Sequence, residues 1–281
     1  MKPVLSLFSG AGLLDRGFEA AGYCVVSAGD ILWGRDVRDF TPACHIFGGV
    51  IGGSPCQDFS KARRSPPTGQ GVELVREFAR VVEQAAPDWF LLENVPGCPN
   101  VTVPGYKVQR FNLNARECGV PQNRLRCFQF GNVTGRPLVI HRGEPTPAAS
   151  RCCMASEAKR GVRRGWSQFC QLQGLPADFQ LPGLSLAMRY KLVGNGVPVP
   201  MARVVATAII AWSVTDDDSL ESWHRVCVCG CGRPVPPGQT QATAACRKRE
   251  QRKRDAARKS DNGRVTRELN LVLQAELGSP V

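Results

Sequence analysis

Two side chains in this sequence have the type and the surroundings needed for covalent chemistry on a substrate. Cys56 lies in the loop Gly52-Gly53-Ser54-Pro55-Cys56-Gln57, directly after an apolar run, where a thiolate is a candidate nucleophile. Glu93 ends the apolar run Trp-Phe-Leu-Leu, and we expect burial to raise its pKa and suit it for proton donation to a ring nitrogen. The alternative interpretation of Cys56 is a half-buried structural cysteine.

A glycine-rich turn near residue 10 predicts a ligand site. Gly10-Ala11-Gly12 stands between an apolar run at 3–8 and a helical pattern, and glycine at such a junction lets a ligand lie close to the backbone. Asp30 follows the second apolar run and is placed to accept hydrogen bonds from ribose hydroxyls. A tight turn without a ligand explains the glycines equally well.

Two arginines, Arg124 and Arg126, open a later apolar run. Alternation along a strand places them on the same face, where paired guanidinium groups can hold a carboxylate, a base carbonyl or a phosphate. A basic pair on the surface is the alternative.

These side chains need a scaffold, and the hydrophobic pattern predicts one. Apolar runs indicate strands at 3–8, 23–27, 45–53, 88–93, about 108–114 and 126–131. Helical spacing indicates helices from Leu13 to about residue 21, over 72–86 and over about 200–213. Strands that alternate with helices favour a largely parallel α/β sheet, while the pattern weakens after Gly131.

Composition limits the class of protein. The chain has 281 residues, 43% of them hydrophobic, which is enough for one substantial core with a small appendage. No apolar run approaches the length that crosses a bilayer, and the start lacks a secretory pattern, so we expect a cytoplasmic protein with reduced thiols. The net charge is +12, of which +8 falls between Arg225 and Glu268. Such an excess suits a polyanionic partner, although it also describes a solubilising tail.

The basic tail carries its own cluster of thiols. Four of the 13 cysteines, Cys227, Cys229, Cys231 and Cys246, fall within twenty residues and predict one structural zinc, with His224 as an alternative ligand. The segment resembles small CGxP…ACR zinc modules that precede basic helices. A helix from Arg247 to Lys259 would have no apolar face, so phosphate contact is its best use.

Taken in order, the motifs resemble those of one family, the cytosine-5 DNA methyltransferases. The segments are FSGAGLLDRGFEAAG, GGSPCQDFS, ENVPG, GVPQNRLRCFQFG, LQGLPADF and GNGVPVPMA, and they cover roughly residues 4–210. The resemblance implies a Rossmann-like, S-adenosylmethionine-dependent methyltransferase fold with a small target-recognition insertion, followed here by a zinc-knuckle-like module. It implies a catalytic domain over 1–131 and 185–215, a recognition region over 132–184, a linker over 216–223 and a Cys-rich basic tail over 224–281.

The resemblance also implies roles for individual residues. Cys56 would add to C6 of cytosine, Glu93 would protonate or hydrogen-bond N3, and Arg126, together with Arg124, would hold the base and the loop. Asp30 would take the ribose, Asp36 the adenine edge and Asn195 the region near the methionine end of the cofactor. The remaining implied cofactor contacts are Phe8, Gly10, Ala11, Gly12, Leu13, Pro55, Leu74 and Val197. The implied enzyme is a monomer that acts on double-stranded DNA, away from membranes.

The chain departs from the family pattern in three places. The segment between Asp30 and Asp36 is short, so part of the adenine pocket is expected to be rebuilt. Ser167-Gln168 replaces the usual Arg-Glu before Leu-Gln-Gly, which weakens a support of the recognition domain. That domain is reduced to about 34 residues, 132–165, which predicts a short target sequence or weak selectivity.

Two other functions stay open at this point. An RNA cytosine methyltransferase would use the same core, although the tRNA-modifying branch tends to have Asn-Ser where this chain has Gln122-Asn123. A non-catalytic DNA-binding relative would keep the fold, but the intact set of Cys56, Glu93 and Arg126 argues against it.

Overall fold

The structure is a computed structural model of the chain. It describes residues 2–60, 63, 65–147, 150–159, 164–214, 227, 235, 244, 246–253 and 255. The predicted linker over 216–223 and most of the predicted tail module lie outside the described residues.

Within the described residues, six strands form a single mixed sheet in the order β2-β1-β3-β4-β6-β5. The first four strands run parallel, and β6 runs antiparallel to both β4 and β5. The prediction of a largely parallel α/β sheet is confirmed, and the reversal of β6 is the feature that the sequence pattern did not predict. The strands are β1 Val4–Leu7, β2 Val25–Ala28, β3 Gly49–Gly52, β4 Trp89–Asn94, β5 Lys107–Asn114 and β6 Leu125–Asn132.

Helices cover both faces of the sheet. The α-helices are α1 Leu13–Glu19, α2 Gln70–Ala85, α3 Trp166–Leu172, α4 Leu186–Asn195 and α5 Val199–Val214. On one face, α2 packs its apolar stripe, including Phe78 and Val82, against Leu7 and Phe90. On the other face, α1 and α5 lie together over the sheet. A sheet that is covered on both faces explains why its strands read as continuous apolar runs.

The helices α3 and α4 were not predicted from the pattern. They are short, with Gly165 at the start of α3 and Ser185 capping α4 through its hydroxyl, which accepts a hydrogen bond from the Met188 amide. Phe169 of α3 and Tyr190 of α4 pack with Leu13 in a third apolar cluster. Through Leu13, which directly follows Gly10-Ala11-Gly12, this cluster holds the glycine-rich turn against α3 and α4.

The segment Leu186–Val214 has the length and apolar composition that would suffice to cross a membrane, with a mean hydropathy of 1.6 in an 18-residue window. The sequence pattern did not lead us to expect such a run. In the structure the segment consists of α4 and α5, and Met201, Val205 and Ile209 of α5 are fully buried in the core over the sheet. Interior packing therefore accounts for these apolar side chains.

Candidate active site

The carboxyl ends of the parallel strands meet at one edge of the sheet, where the structure has a cavity of about 570 Å³. Ligands of open α/β sheets bind outside this edge. Thirteen of the fifteen residues that the sequence predicted for catalysis or cofactor binding line the cavity: Phe8, Gly10, Ala11, Leu13, Asp30, Asp36, Pro55, Cys56, Leu74, Glu93, Arg126, Asn195 and Val197. The structure therefore brings nearly the whole predicted site together, whereas Gly12 and Arg124 do not line the cavity.

The glycine-rich turn forms one wall of the cavity. Gly10 and Gly12 both have a positive φ, of 56° and 73°, which favours glycine. The amide of Gly10 donates a hydrogen bond of 2.7 Å to Oδ2 of Asp30, and the amide of Leu32 donates one of 2.8 Å to Oδ1. Each carboxylate oxygen keeps a second acceptor position, so Asp30 can still bind hydroxyl groups of a ligand. Gly12 lies behind this wall and serves as the N-cap of α1.

Asp36 lies at another side of the cavity, where Arg38 forms ion pairs with both Asp36 and Glu73. Its carboxylate accepts hydrogen bonds from the Arg38 amide at 3.0 Å and from the Arg38 guanidinium at 2.7 Å. The same guanidinium contacts Glu73 of α2 at 2.8 Å. These contacts, the backbone hydrogen bond first, hold the pKa of Asp36 below its usual value, so the group remains an ionised acceptor.

A buried hydrogen-bond pair holds the loop that carries Cys56. Nδ2 of Asn94 donates to the carbonyl oxygen and to the hydroxyl of Ser54, both at 3.0 Å. Asn94 is 2% exposed and Ser54 is 4% exposed. Sequence reasoning gave neither residue a role, although both lie inside the motifs it quoted. A polar residue at the end of a fully apolar strand was the signal that could have identified Asn94.

The reactive groups interact electrostatically. Oε1 of Glu93 lies 3.1 Å from Nε of Arg126, yet among the described residues it makes no hydrogen bond. Burial raises the pKa of Glu93 against the opposing charge of Arg126. Burial and then the charge of Glu93 raise the pKa of the Cys56 thiol, while Arg126 and Arg124 act in the opposite direction. Both shifts favour the protonated forms, a carboxylic acid at Glu93 and a thiol at Cys56.

Arg124 is buried beside the reactive groups without lining the cavity. It precedes β6, so strand alternation does not govern its direction, and its side chain is 1% exposed. The guanidinium donates to the carbonyl groups of Gly194 at 2.9 Å and of Gly196 at 2.7 Å. It also donates to the carbonyl of Cys153 at 2.8 Å. Arg124 therefore clasps the turn that carries Asn195, while its expected contact with the base stays a prediction.

Two buried glutamines extend this clasp. Gln122 donates to Oε1 of Gln173 at 2.8 Å, and Gln173 donates to the carbonyl of Gly196 at 3.1 Å. Both side chains are fully buried. They are 51 residues apart in the chain, so spacing could not pair them, although each belongs to a motif that the sequence analysis singled out.

The predicted metal site is described only in part. Cys227 and Cys246 are buried in one small cluster with Val235, and residues 246–253 are helical. Cys229, Cys231 and His224 lie outside the described residues. Over the part of the chain that the structure describes, no three His, Cys, Asp or Glu side chains are grouped to hold a metal ion.

Comparison with known proteins identifies the family. The sequence profile of C-5 cytosine-specific DNA methylases matches residues 33–152 and 166–211. The chain is 33% identical over 199 residues to the Type II methyltransferase M.AquIA of Picosynechococcus sp., which covers 53% of this chain and 78% of that protein. It is 29% identical over 291 residues to the Type II methyltransferase M.HindV of Haemophilus influenzae, over 73% of this chain and 95% of that protein.

A solved structure supports the fold independently. The methyltransferase EhMeth of Entamoeba histolytica superposes with a TM-score of 0.56 at 13% identity, over 76% of this chain and 99% of that one. At this identity the likeness concerns the fold alone, which is the Rossmann-like methyltransferase fold. Together with the sequence matches, it shows that the chain belongs to the C-5 cytosine-specific DNA methylase family and is a DNA (cytosine-5) methyltransferase.

Proposed function

We propose that the chain, acting as a monomer, transfers a methyl group to C5 of a cytosine that has been flipped out of double-stranded DNA, through a covalent adduct of Cys56 at C6. The observation that carries this proposal is the convergence of Cys56, Glu93 and Arg126 on the same cavity as the glycine-rich turn and Asp30. A nucleophile, an acid and a cofactor wall within one cavity are the parts that this reaction requires.

The residues of the cavity fit S-adenosylmethionine. Asp30 retains acceptor positions for the ribose hydroxyls, and Asp36 is an ionised acceptor for the adenine amine. Gly10 lets the backbone approach the ligand closely, and Asn195 and Val197 border the methionine end in this assignment. When bound there, the cofactor supplies an electrophilic methyl group.

The chain's own residues would then activate the base. The thiolate of Cys56 forms a bond to C6, while Glu93 delivers its proton to N3, so that electron density moves to C5 and C5 becomes nucleophilic. Arg126, close to Glu93, would hold the base carbonyl and balance the carboxylate charge. After transfer, water takes the proton from C5, the C5–C6 double bond re-forms, and the Cys56–C6 bond breaks to return the thiolate. N3 then gives its proton back to Glu93, which releases neutral 5-methylcytosine and restores the acid. Since neither face of C6 can be reached inside a duplex, the base must be flipped into the cavity.

The domain arrangement that we propose follows the same order as the motifs. The catalytic unit comprises 1–131 and 185–215, the recognition region 132–184, and the tail 224–281 after a linker over 216–223. The tail would bind one zinc through Cys227, Cys229, Cys231 and Cys246, with His224 as the alternative ligand. The common cluster of Cys227 and Cys246 supports this assignment, since two of the four proposed ligands are buried together among the described residues of the tail.

Replacement of the nucleophile tests the central step. Cys56→Ser should abolish methyl transfer to duplex DNA and retain DNA binding, because a hydroxyl is a far weaker nucleophile at neutral pH. Cys44→Ser, at an exposed cysteine, is the matched control and should remain active. Duplex DNA that contains 5-fluorocytosine should trap the wild type and the control covalently, but should not trap Cys56→Ser. A wild-type methylation rate in Cys56→Ser would refute the assignment, and tRNA in a parallel assay tests the RNA alternative.

A further inference from the structure

Beyond the catalytic cavity, one ion pair organises the short recognition region. The guanidinium of Arg164 grips Glu157 with two hydrogen bonds of 2.6 Å, from Nε to Oε1 and from Nη2 to Oε2. Both side chains are largely buried, at 17% and 8% exposed. The same guanidinium also donates to the carbonyl groups of Arg151 at 2.8 Å and of Cys152 at 3.1 Å. A planar guanidinium that binds one carboxylate and two carbonyl groups fixes their relative positions more tightly than the ammonium group of a lysine could.

The segment that Arg164 grips, residues 150–155, is attached to the start of β6. The amide of Ser150 donates to the Pro121 carbonyl at 2.8 Å, and the amide of Cys153 donates to Oε1 of Gln122 at 3.1 Å. Nη1 of Arg124 contacts Sγ of Cys152 at 3.1 Å. The segment therefore lies directly beside the arginine that clasps the cofactor-side turn.

The backbone of this segment also lies against that turn. A Cβ atom added to Gly194 would come within 2.8 Å of the amide nitrogen of Ala155 and of the carbonyl carbon of Met154. Such close backbone packing leaves no freedom for the segment to shift independently of the turn. A displacement of residues 150–155 would thus be transmitted to the geometry beside Asn195 and Arg126.

We propose that Arg164 is a positioning residue for DNA recognition: together with Glu157 it supports the recognition region by holding the backbone at Arg151 and Cys152. In this assignment the clamp holds the backbone of residues 150–155 and presents the exposed side chain of Arg151 to the DNA. Arginine is the side chain best suited to paired contacts with guanine or phosphate. The inference rests on the proposed action on duplex DNA.

A second ion pair, outside the recognition region, provides a control. Arg80 contacts Glu77 at 2.8 Å, and the two side chains are 29% and 23% exposed. The Arg80 guanidinium also donates to the carbonyl groups of Val37 at 2.8 Å and of Phe40 at 3.1 Å. This pair resembles the Arg164 clamp in bonding, since both guanidinium groups bind one carboxylate and two carbonyl groups, but it lies on α2 in the catalytic unit. A purely structural role for Arg164 would make the two pairs equivalent.

The test compares the full-length variants Arg164→Gln, Arg164→Lys, Arg151→Gln and Arg80→Gln with the wild type. KM for a duplex substrate, Kd for S-adenosylmethionine, Tm and the spectrum of methylated sites are measured for each. Arg164→Gln should raise KM for DNA by about tenfold to a hundredfold and broaden site selectivity. Kd for the cofactor should change less, because residues 150–155 touch the turn that carries Asn195 only through the backbone beside Gly194. Arg164→Lys should be intermediate because it keeps the charge and loses the planar guanidinium.

The controls separate positioning from stability. Arg151→Gln should reproduce the DNA defect with an unchanged Tm, which keeps the proposal testable should Arg164→Gln fail to fold. Arg80→Gln should lower Tm with little effect on KM for DNA. Equal effects of Arg164→Gln and Arg80→Gln on KM for DNA, or a wild-type KM in Arg151→Gln, would overturn the proposal. Absence of methylation by the wild type in the same assay would instead count against the proposed function itself.

Discussion

The hydrogen bonds between Asn94 and Ser54 should set the position of the nucleophile, and Asn94→Ala should expose this. The substitution removes two donated hydrogen bonds of 3.0 Å in a region where both residues are nearly inaccessible. It leaves the Ser54 carbonyl buried without its Asn94 partner, which costs about 1–3 kcal/mol. If that free energy is lost in the alignment of the Cys56 loop, turnover falls roughly fivefold to 150-fold.

The assay is the steady-state rate on a duplex substrate, with Kd for S-adenosylmethionine and Tm measured on the same samples. The expected result is a fall in kcat that exceeds any change in cofactor Kd, because the loop carries the nucleophile and the ribose ligand Asp30 is elsewhere. Asn132→Ala is a suitable control: Asn132 is equally buried and hydrogen-bonded, but it pairs with Trp89 at the opposite end of β4. If Asn94→Ala and Asn132→Ala lose the same Tm and both keep wild-type turnover, the loop does not depend on Asn94.

Three other predictions follow from the site and the tail. Glu93→Gln should slow methyl transfer much more than it weakens cofactor binding. Because the charge of Glu93 raises the pKa of the Cys56 thiol, Cys56 of the variant should also be alkylated at lower pH than in the wild type. An unchanged or higher midpoint pH of alkylation would contradict this. Exchange of residues 132–165 for those of a relative should change which cytosines are methylated, as read by methylome sequencing, and an unchanged site would place recognition elsewhere. Truncation after Asp216 should leave a folded enzyme that is active at low salt but needs a higher DNA concentration at physiological salt. Elemental analysis should find about one zinc in the full-length chain and none in the truncated one, and a metal-free full-length protein would refute the zinc assignment.

The parts of the fold that the sequence predicted are those with a strong period. The apolar stripe of α2 and the fully buried strands lie within a few residues of their predicted bounds, since burial on one helix face or on both sheet faces leaves a direct mark on the pattern. The helices α3 and α4 were not predicted because they are short and contribute only a few side chains to a small cluster. The antiparallel direction of β6 was not predicted because an apolar run carries no information about its orientation in a sheet.

The candidate site shows the same division. Motif residues such as Cys56 and Asp30 were placed at one cavity because strand ends converge, which the topology alone dictates. The bonds of Arg124 to the turn at Gly194 were not predicted, because the two residues are 70 positions apart in the chain. The partnership of Gln122 and Gln173 required knowledge of how distant segments pack, which one sequence does not contain.

The contact of α1 with α5 has a consequence for how the chain acquires its structure during synthesis. A Cβ atom on Gly17 would come within 2.3 Å of Cβ of Ala202, so two helices from opposite ends of the catalytic unit meet almost backbone to backbone. The apolar surface of α1 and of the neighbouring strands cannot be covered until residues 199–214 have left the ribosome. The glycine-rich turn at Gly10 therefore matures late. At ordinary translation rates of about 5–20 residues per second, the nascent chain carries an uncovered sheet face for roughly 10 to 40 seconds. Chaperone binding to ribosome-bound chains should consequently end only after α5 emerges.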